Sequence, residues 1–123
     1  MSKNNKIKWL DLPDEHDYPS AASYLSLIYE PDAVTGIVQK LQQASMQRFK
    51  AKDIFRASRL SLLGISNTEV EADRKKIRHG ISLSPLLLVR DPSNGVVIIA
   101  DGYHRLCAVY KTDDNAEIPC KIV

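Results

Sequence analysis

The chain has 123 residues, of which 44% are hydrophobic and 26% are charged, with 17 Lys or Arg against 15 Asp or Glu. This length and balance are typical of a single globular domain with one ordinary core. No apolar run approaches the roughly 20 residues that span a membrane, and the first residues do not resemble a signal peptide, so we expect a cytoplasmic protein with no membrane partner. The two cysteines, Cys107 and Cys120, lack metal-site spacing and are expected to be reduced thiols.

The first half of the chain is predicted to contain one strand followed by helices. Residues 6–12, "KIKWLDL", alternate apolar and polar side chains, which is typical of a short strand. Ser20 is placed to cap a helix over residues 21–29, and Asp32 is placed to cap the next helix. Residues 50–58 also have a helical pattern.

The second half is predicted to form a helix, a hairpin, a helix and a strand. Asn67 and Thr68 open a helix, Thr68 and Glu71 have capping-box spacing, and Gly80 can end this helix. The runs 86–89 and 96–99 flank a Pro-Ser-Asn-Gly turn, which favours a β-hairpin. A helix follows from Tyr103, and the chain ends in the strand-like "IPCKIV".

A basic segment lies in the middle of the chain. Residues 40–80 carry ten Lys or Arg and four Asp or Glu, a net charge of +6, whereas the remaining residues carry a net −4. Such a segment suits an anionic partner such as a nucleotide or a nucleic acid. A solvated helix face with the same charges is the other interpretation, and the sequence leaves both open.

The helix predicted at Tyr103 begins with two side chains that can be cationic, His104 and Arg105. A helix N-terminus has unpaired N–H groups and roughly +0.5 of an elementary charge, so cations there are unfavourable unless an anion lies in front of them. With Gly102 before it, this turn has the features of a phosphate site. The alternative is that Arg105 pairs with Asp101 or another carboxylate and that His104 is a core histidine.

The order of these elements resembles the ParB/sulfiredoxin superfamily, which includes the ParB-like nuclease-type domains. The matching segments are "SPLLLV", "VVIIADG", the Gly-x-x-Arg-x-x-Ala pattern from Gly102 to Ala108, and "IPCKIV". The chain also resembles uncharacterised bacterial ParB-like proteins that share "KAKDIFRAS" and "SPLLLVR…IADGYHRLCA". The resemblance implies an α+β fold: a small mixed β-sheet in one domain over residues 1–123, with a helical insertion at about residues 20–66 after the first strand.

The resemblance also implies a nucleotide or another phosphate as the ligand. Gly102 would allow close approach of the backbone, and Arg105 would contact a phosphate oxygen. Tyr103 and His104 would lie beside it, His104 matching a histidine that precedes the arginine in sulfiredoxins and in ParB-like kinases of small molecules. Sulfiredoxins place a nucleophilic cysteine where this chain has Tyr103, so peroxide-repair chemistry is not expected.

Two features of the ParB-like partition proteins are missing from this chain. Residues 1–123 do not contain the second phosphate motif of the CTP-binding members, Glu-Asn-x-x-Arg, and we do not expect their helix-turn-helix domain. A nucleic-acid partner is therefore open but not favoured, and a homodimer is also left open.

Asp101 and a pair of basic residues complete the candidate site. Next to phosphates, Asp101 could hold Mg²⁺ or act as a catalytic base together with His104. The simpler interpretation is that Asp101 only makes the turn or caps the helix. Lys52 and Arg56 share one helix face and could close over the phosphates, or they could belong to a solvated face.

Two classes of function follow from the sequence. The first is a nucleotide-binding domain that uses a nucleoside triphosphate and Mg²⁺, as a phosphotransferase or an NTPase. The second is a non-enzymatic DNA- or protein-binding module that keeps the same fold. Affinity for DNA that falls steeply with salt, without any effect of nucleotide, would favour the second.

Overall fold

The computed structural model describes residues 6–62 and 67–123. Within these ranges the elements are, in chain order, α1 (Asp17–Leu25), α2 (Pro31–Gln43), β1 (Gln47–Lys50), α3 (Ala51–Ser58), α4 (Thr68–Arg78), β2 (Leu86–Asp91), β3 (Val96–Asp101), α5 (Tyr103–Thr112) and β4 (Glu117–Ile122). The predicted α+β class with a small mixed sheet is confirmed. None of the described helices is long and apolar enough to cross a membrane.

The four strands form one sheet in the order β1-β4-β2-β3. β2 pairs antiparallel with β3 as the predicted hairpin, and β2 pairs parallel with β4. β1 pairs antiparallel with β4 at the other edge. Because β2 and β3 form a hairpin, the end of β3 at Asp101 lies beside the start of β2.

Helices cover both faces of the sheet, so the two alternating sets of strand side chains are both buried. Leu86, Leu88 and Ile118 belong to the core cluster that includes residues of α3, α4 and α5. Leu87 and Val89 belong to a second cluster with α1 and α2. β2 is buried on both sides, which explains its nearly continuous run of apolar residues.

The predicted first strand is wrong. Within residues 6–12 only Trp9 pairs, in an isolated parallel bridge with Leu83. Ile7 and Trp9 are partly buried and pack against the core, as the alternation predicts, whereas Leu12 is exposed. The segment is nevertheless joined to the fold through the single bridge at Trp9 and does not form a strand of the sheet. The fourth strand is instead β1, which lies inside the segment 20–66 predicted to be a helical insertion; residues 63–66 of that segment lie outside the described residues.

Two predicted helix caps are wrong, and a third helix begins where it was predicted to begin. α1 begins at Asp17, so Ser20 lies inside the helix and does not cap it. α2 begins at Pro31, which places Asp32 in the first turn and not at the cap. α4 begins at Thr68 as predicted and is capped by Asn67, whose side chain accepts hydrogen bonds from the N–H groups of Glu69 and Val70.

Candidate functional site

The N-terminus of α5 has no side-chain cap. Gly102 holds the N-cap position with φ of 111° and ψ of 14°, and the first turn carries no acidic residue. The N–H of Leu106 donates to the carbonyl of Gly102 at 2.9 Å. The N–H groups of the three preceding residues therefore have no partner within the helix.

Gly102 is required by the packing of the protein itself. A Cβ atom at this position would lie 2.7 Å from Cγ of Leu86 and 3.0 Å from Nη2 of Arg105, and the positive φ is one that other residues rarely adopt. The predicted role of Gly102, close approach of the backbone to a phosphate, is thus accompanied by a structural role that the sequence did not indicate.

A cavity of about 320 Å³ opens between α4 and the N-terminus of α5. It brings together the predicted residues of the Asp-Gly turn and the first turn of α5 with three residues of α4. Its lining consists of Glu69, Ala72, Asp73, Asp101, Gly102, Tyr103, His104 and Arg105.

Arg105 forms a partly buried ion-pair network. Its Nη2 atom lies 2.9 Å from Oδ2 of Asp101, 3.5 Å from Oδ2 of Asp17 and 3.5 Å from the carbonyl oxygen of Pro85. The Arg105 side chain is only 18% exposed, and its Nε atom is buried without a hydrogen-bond partner. The pairing of Arg105 with Asp101, one of the two predicted alternatives, is therefore present, and Asp101 does not cap α5.

Asp17 connects α1 to this network and was missed by the sequence analysis. Its Oδ2 atom accepts a hydrogen bond from Oγ of Ser84, and Ser84 Oγ accepts one from the N–H of Asp14. Asp17 is 88 positions from Arg105. No local pattern links residues so far apart, because their contact depends on how α1 packs against β3.

Burial raises the pKa of two carboxyl groups in the cavity. For Asp101 the nearby Arg105 guanidinium opposes the rise, and the Asp17 carboxylate adds to it. For Asp73 burial again raises the pKa, opposed first by Lys76 and then by Arg105. Both carboxyl groups therefore bind a proton more readily than an exposed aspartate does.

His104 and Tyr103 have partners at the mouth of the cavity. Nδ1 of His104 lies 3.0 Å from Oε1 of Glu69, and the His104 side chain is 38% exposed, so it is not a core histidine. The Tyr103 hydroxyl donates a hydrogen bond to the carbonyl oxygen of Ser61. Burial raises the pKa of the Tyr103 hydroxyl.

Lys52 and Arg56 lie away from the cavity. The N–H of Lys52 donates to the carbonyl of Asp114 at 3.0 Å, beyond the C-terminal end of α5. Ten helical residues span about 15 Å, so Lys52 lies at the far end of α5 from Gly102. The Arg56 side chain is 85% exposed, 4.0 Å from Asp53. The structure does not bring this pair to the predicted phosphate site.

The donor set of the cavity limits how a metal ion could be held. Among residues 6–62 and 67–123, no group of three or more His, Cys, Asp or Glu side chains is arranged to hold a metal ion. Mg²⁺, however, is commonly bound through one or two carboxylates together with phosphate oxygens and water. Asp73 and Asp101 fit that mode and do not fit a metal cage made by protein alone.

Neither cysteine belongs to the cavity. Cys107 and Cys120 are buried and form no disulfide. Burial raises the pKa of the Cys120 thiol to about 12. A reactive thiolate at Cys120 is therefore excluded at neutral pH.

Comparison of the chain with protein-family models, curated proteins and solved structures finds no match.

Proposed function

We propose that the chain binds the Mg²⁺ complex of a nucleotide, with the phosphates at the N-terminus of α5. The observation that carries this proposal is the uncapped first turn of α5, which opens into a cavity lined by two half-buried aspartates. Phosphate oxygens would accept hydrogen bonds from the N–H groups that follow Gly102. His104 would lie beside the phosphates at the mouth.

The charge of the cavity argues for a metal-bound phosphate over a bare one. Glu69, Asp73 and Asp101 contribute three carboxylates, whereas Arg105 is the one permanently cationic side chain of the lining. A bare polyphosphate would be repelled by this arrangement, and a divalent cation between the phosphate and Asp73 would offset the repulsion. The ion pair of Asp73 with Lys76 is long, at 3.9 Å, which leaves the carboxylate oxygens of Asp73 suited to a cation.

Arg105 would act mainly as a positioning residue. Its guanidinium is shared by Asp101 and Asp17, so the arginine orients Asp101 at the edge of the cavity. Asp101 could then ligate the cation through its other oxygen. A role for Asp101 and His104 in turnover, as in a phosphotransferase or an NTPase, rests on the resemblance to ParB-like proteins and on this placement.

The proposal is tested by thermal-shift and calorimetric titration of nucleotides with and without Mg²⁺. The informative variant is His104→Glu, which places a negative charge in the open first turn of α5 at a partly exposed position. The matched control is Thr68→Glu, which adds the same charge in the first turn of α4, outside the cavity. We expect His104→Glu to weaken the Mg²⁺–nucleotide complex about tenfold or more, and Thr68→Glu to change it less than about twofold.

Two outcomes would contradict the proposal. One is equal affinity of the wild-type protein and a folded His104→Glu variant. The other is the absence of any Mg²⁺-dependent nucleotide binding by the wild-type protein. The second outcome, combined with DNA affinity that falls steeply with salt, would favour the non-enzymatic module.

A further inference from the structure

A second cavity, of about 240 Å³, lies between α3 and the sheet. Its walls are mainly apolar side chains from α3 and from all four strands, β1, β4, β2 and β3. These side chains are Phe49, Ile54, Ala57, Leu88, Val97 and Ile122.

This cavity is independent of the proposed nucleotide site. Val97 lines the cavity near the beginning of β3, whereas Asp101 ends the same strand. Four residues of a strand span about 13 Å, so the two sites lie towards opposite ends of the sheet. They also share no lining residue.

Two opposite charges line the apolar cavity without pairing with each other. Arg90 comes from β2 and Asp53 from α3, and both line the cavity. Across residues 6–62 and 67–123, Asp53 forms an ion pair with Arg56 at 4.0 Å, and the guanidinium of Arg90 forms no ion pair. The backbone N–H of Arg90 donates to the terminal oxygen of Val123 at 2.7 Å. A cation and an anion at one apolar cavity complement a ligand that carries both charges close to an apolar group.

We propose that this cavity binds a free α-amino acid with an apolar side chain. The carboxylate of the ligand meets Arg90, its ammonium group meets Asp53, and its side chain enters the cavity. A closed apolar cavity of about 150 Å³ holds benzene, so the volume here suits a benzyl or isobutyl group. Small-ligand sites of this kind are mostly apolar, with a few polar groups that fix the orientation.

The first experiment compares three probes by isothermal titration calorimetry with the full chain. L-Phenylalanine carries both charges, L-phenylalaninamide lacks the carboxylate, and 3-phenylpropionate lacks the ammonium group. We expect L-phenylalanine to bind and each of the other two to bind at least about tenfold more weakly. No binding of L-phenylalanine or L-leucine up to about 10 mM would overturn the proposal, as would 3-phenylpropionate binding as tightly as L-phenylalanine.

The second experiment assigns each charge to its residue. Arg90→Gln is expected to weaken L-phenylalanine and 3-phenylpropionate about tenfold while sparing the amide, and Asp53→Asn to weaken L-phenylalanine and the amide while sparing 3-phenylpropionate. Arg48→Gln is the control, because Arg48 is an exposed cation of β1 outside this cavity. All three positions are exposed, so the variants should fold, which circular dichroism would verify. Unchanged affinity for L-phenylalanine in folded Arg90→Gln would overturn the proposal.

Discussion

The N-termini of α4 and α5 meet at the same cavity but differ in how their N–H groups are satisfied. α4 is closed: Asn67 caps it through hydrogen bonds of 2.9 and 3.1 Å, and Glu69 and Glu71 lie in its first turn. α5 is open: Gly102 provides no side-chain cap, and its first turn has no acidic residue. Of these two neighbouring helix ends, the N-terminus of α5 is the one that retains N–H donors for an anion from outside the chain.

The carboxylates of this region also differ between the two helices. The carboxylates in the first turn of α4, those of Glu69 and Glu71, belong to α4 itself and interact favourably with its helix dipole. Those nearest Arg105 come from outside α5, one from the end of β3 and one from α1. α5 therefore depends on tertiary contacts to compensate a cation at its N-terminus, whereas α4 is stabilised locally.

The largest expected effect comes from removing the guanidinium of α5. Arg105→Met leaves Asp17 and Asp101 close together without their shared cation, and both side chains are less than 20% exposed. Breaking a buried pair by removing one partner costs about 3–5 kcal/mol, so we expect a loss of about 3 kcal/mol in the free energy of unfolding. Urea denaturation of the wild-type protein and the variant measures this loss.

The matched control for Arg105→Met is Arg56→Met. Its side chain is 85% exposed and its distance to Asp53 is 4.0 Å, so we expect a change of less than about 0.5 kcal/mol. If Arg105→Met were as stable as Arg56→Met, the dependence of α5 on its tertiary ion pairs would be refuted. Adding Asp17→Asn to Arg105→Met should restore part of the stability, because it removes one unpaired carboxylate.

The next largest effect is expected where the backbone enters α5. Gly102→Ala places a Cβ atom 2.7 Å from Cγ of Leu86 at a φ of +111°. Strained backbone and overpacking together should cost about 2–3 kcal/mol. Gly95→Ala is the control, because its φ is +68° and the nearest atom to the new Cβ is 3.9 Å away, so about 1 kcal/mol is expected. Equal losses in thermal denaturation would show that packing against Leu86 adds nothing.

The elements with strong local patterns were predictable from the sequence. The hairpin of β2 and β3 followed from its β-branched runs and the Asn94-Gly95 turn, and the final strand from the alternation of Ile118, Cys120 and Ile122. β1 was missed because only Phe49 of its four residues is partly buried. An edge strand of this kind has no periodic signal and depends on its pairing with β4.

The candidate site was predictable only where its residues are contiguous. Asp101 to Arg105 were found together because the turn and the helix start are local features. Asp17 and Asp73 were missed, since α1 and α4 bring them to α5 through packing that no short spacing encodes. Lys52 and Arg56 were included because they are cationic and share one predicted helix face, but the start of α3 lies beside the C-terminal end of α5, which places Lys52 far from Gly102.

The smallest expected effect concerns Asp73, the α4 residue whose carboxylate lines the cavity at the N-terminus of α5. Burial raises the pKa of Asp73 above its ordinary value of 3.8. Because the folded-state pKa is raised, the contribution of Asp73 to the free energy of unfolding is fully present below pH 3.8. This contribution is lost as the pH rises through the folded-state pKa. At about pH 7 the ionised Asp73 is therefore destabilising, and Asp73→Asn should raise the free energy of unfolding by less than about 1 kcal/mol.

The pH dependence separates this explanation from a general effect of removing charge. The gain from Asp73→Asn should shrink as the pH falls through the folded pKa of Asp73 and should vanish below pH 3.8, where the wild-type carboxyl becomes protonated in both states. Glu71→Gln is the control: Glu71 pairs with Arg78 at 3.1 Å in the favourable first turn of α4, so its loss should destabilise slightly. If Asp73→Asn proved less stable than wild type at about pH 7, the buried carboxylate would be a stabilising group and the argument would fail. The Asp73→Asn variant could instead be more stable than wild type and also lose Mg²⁺-dependent nucleotide binding. Asp73 would then be a residue that lowers stability and serves binding, as residues of functional sites often do.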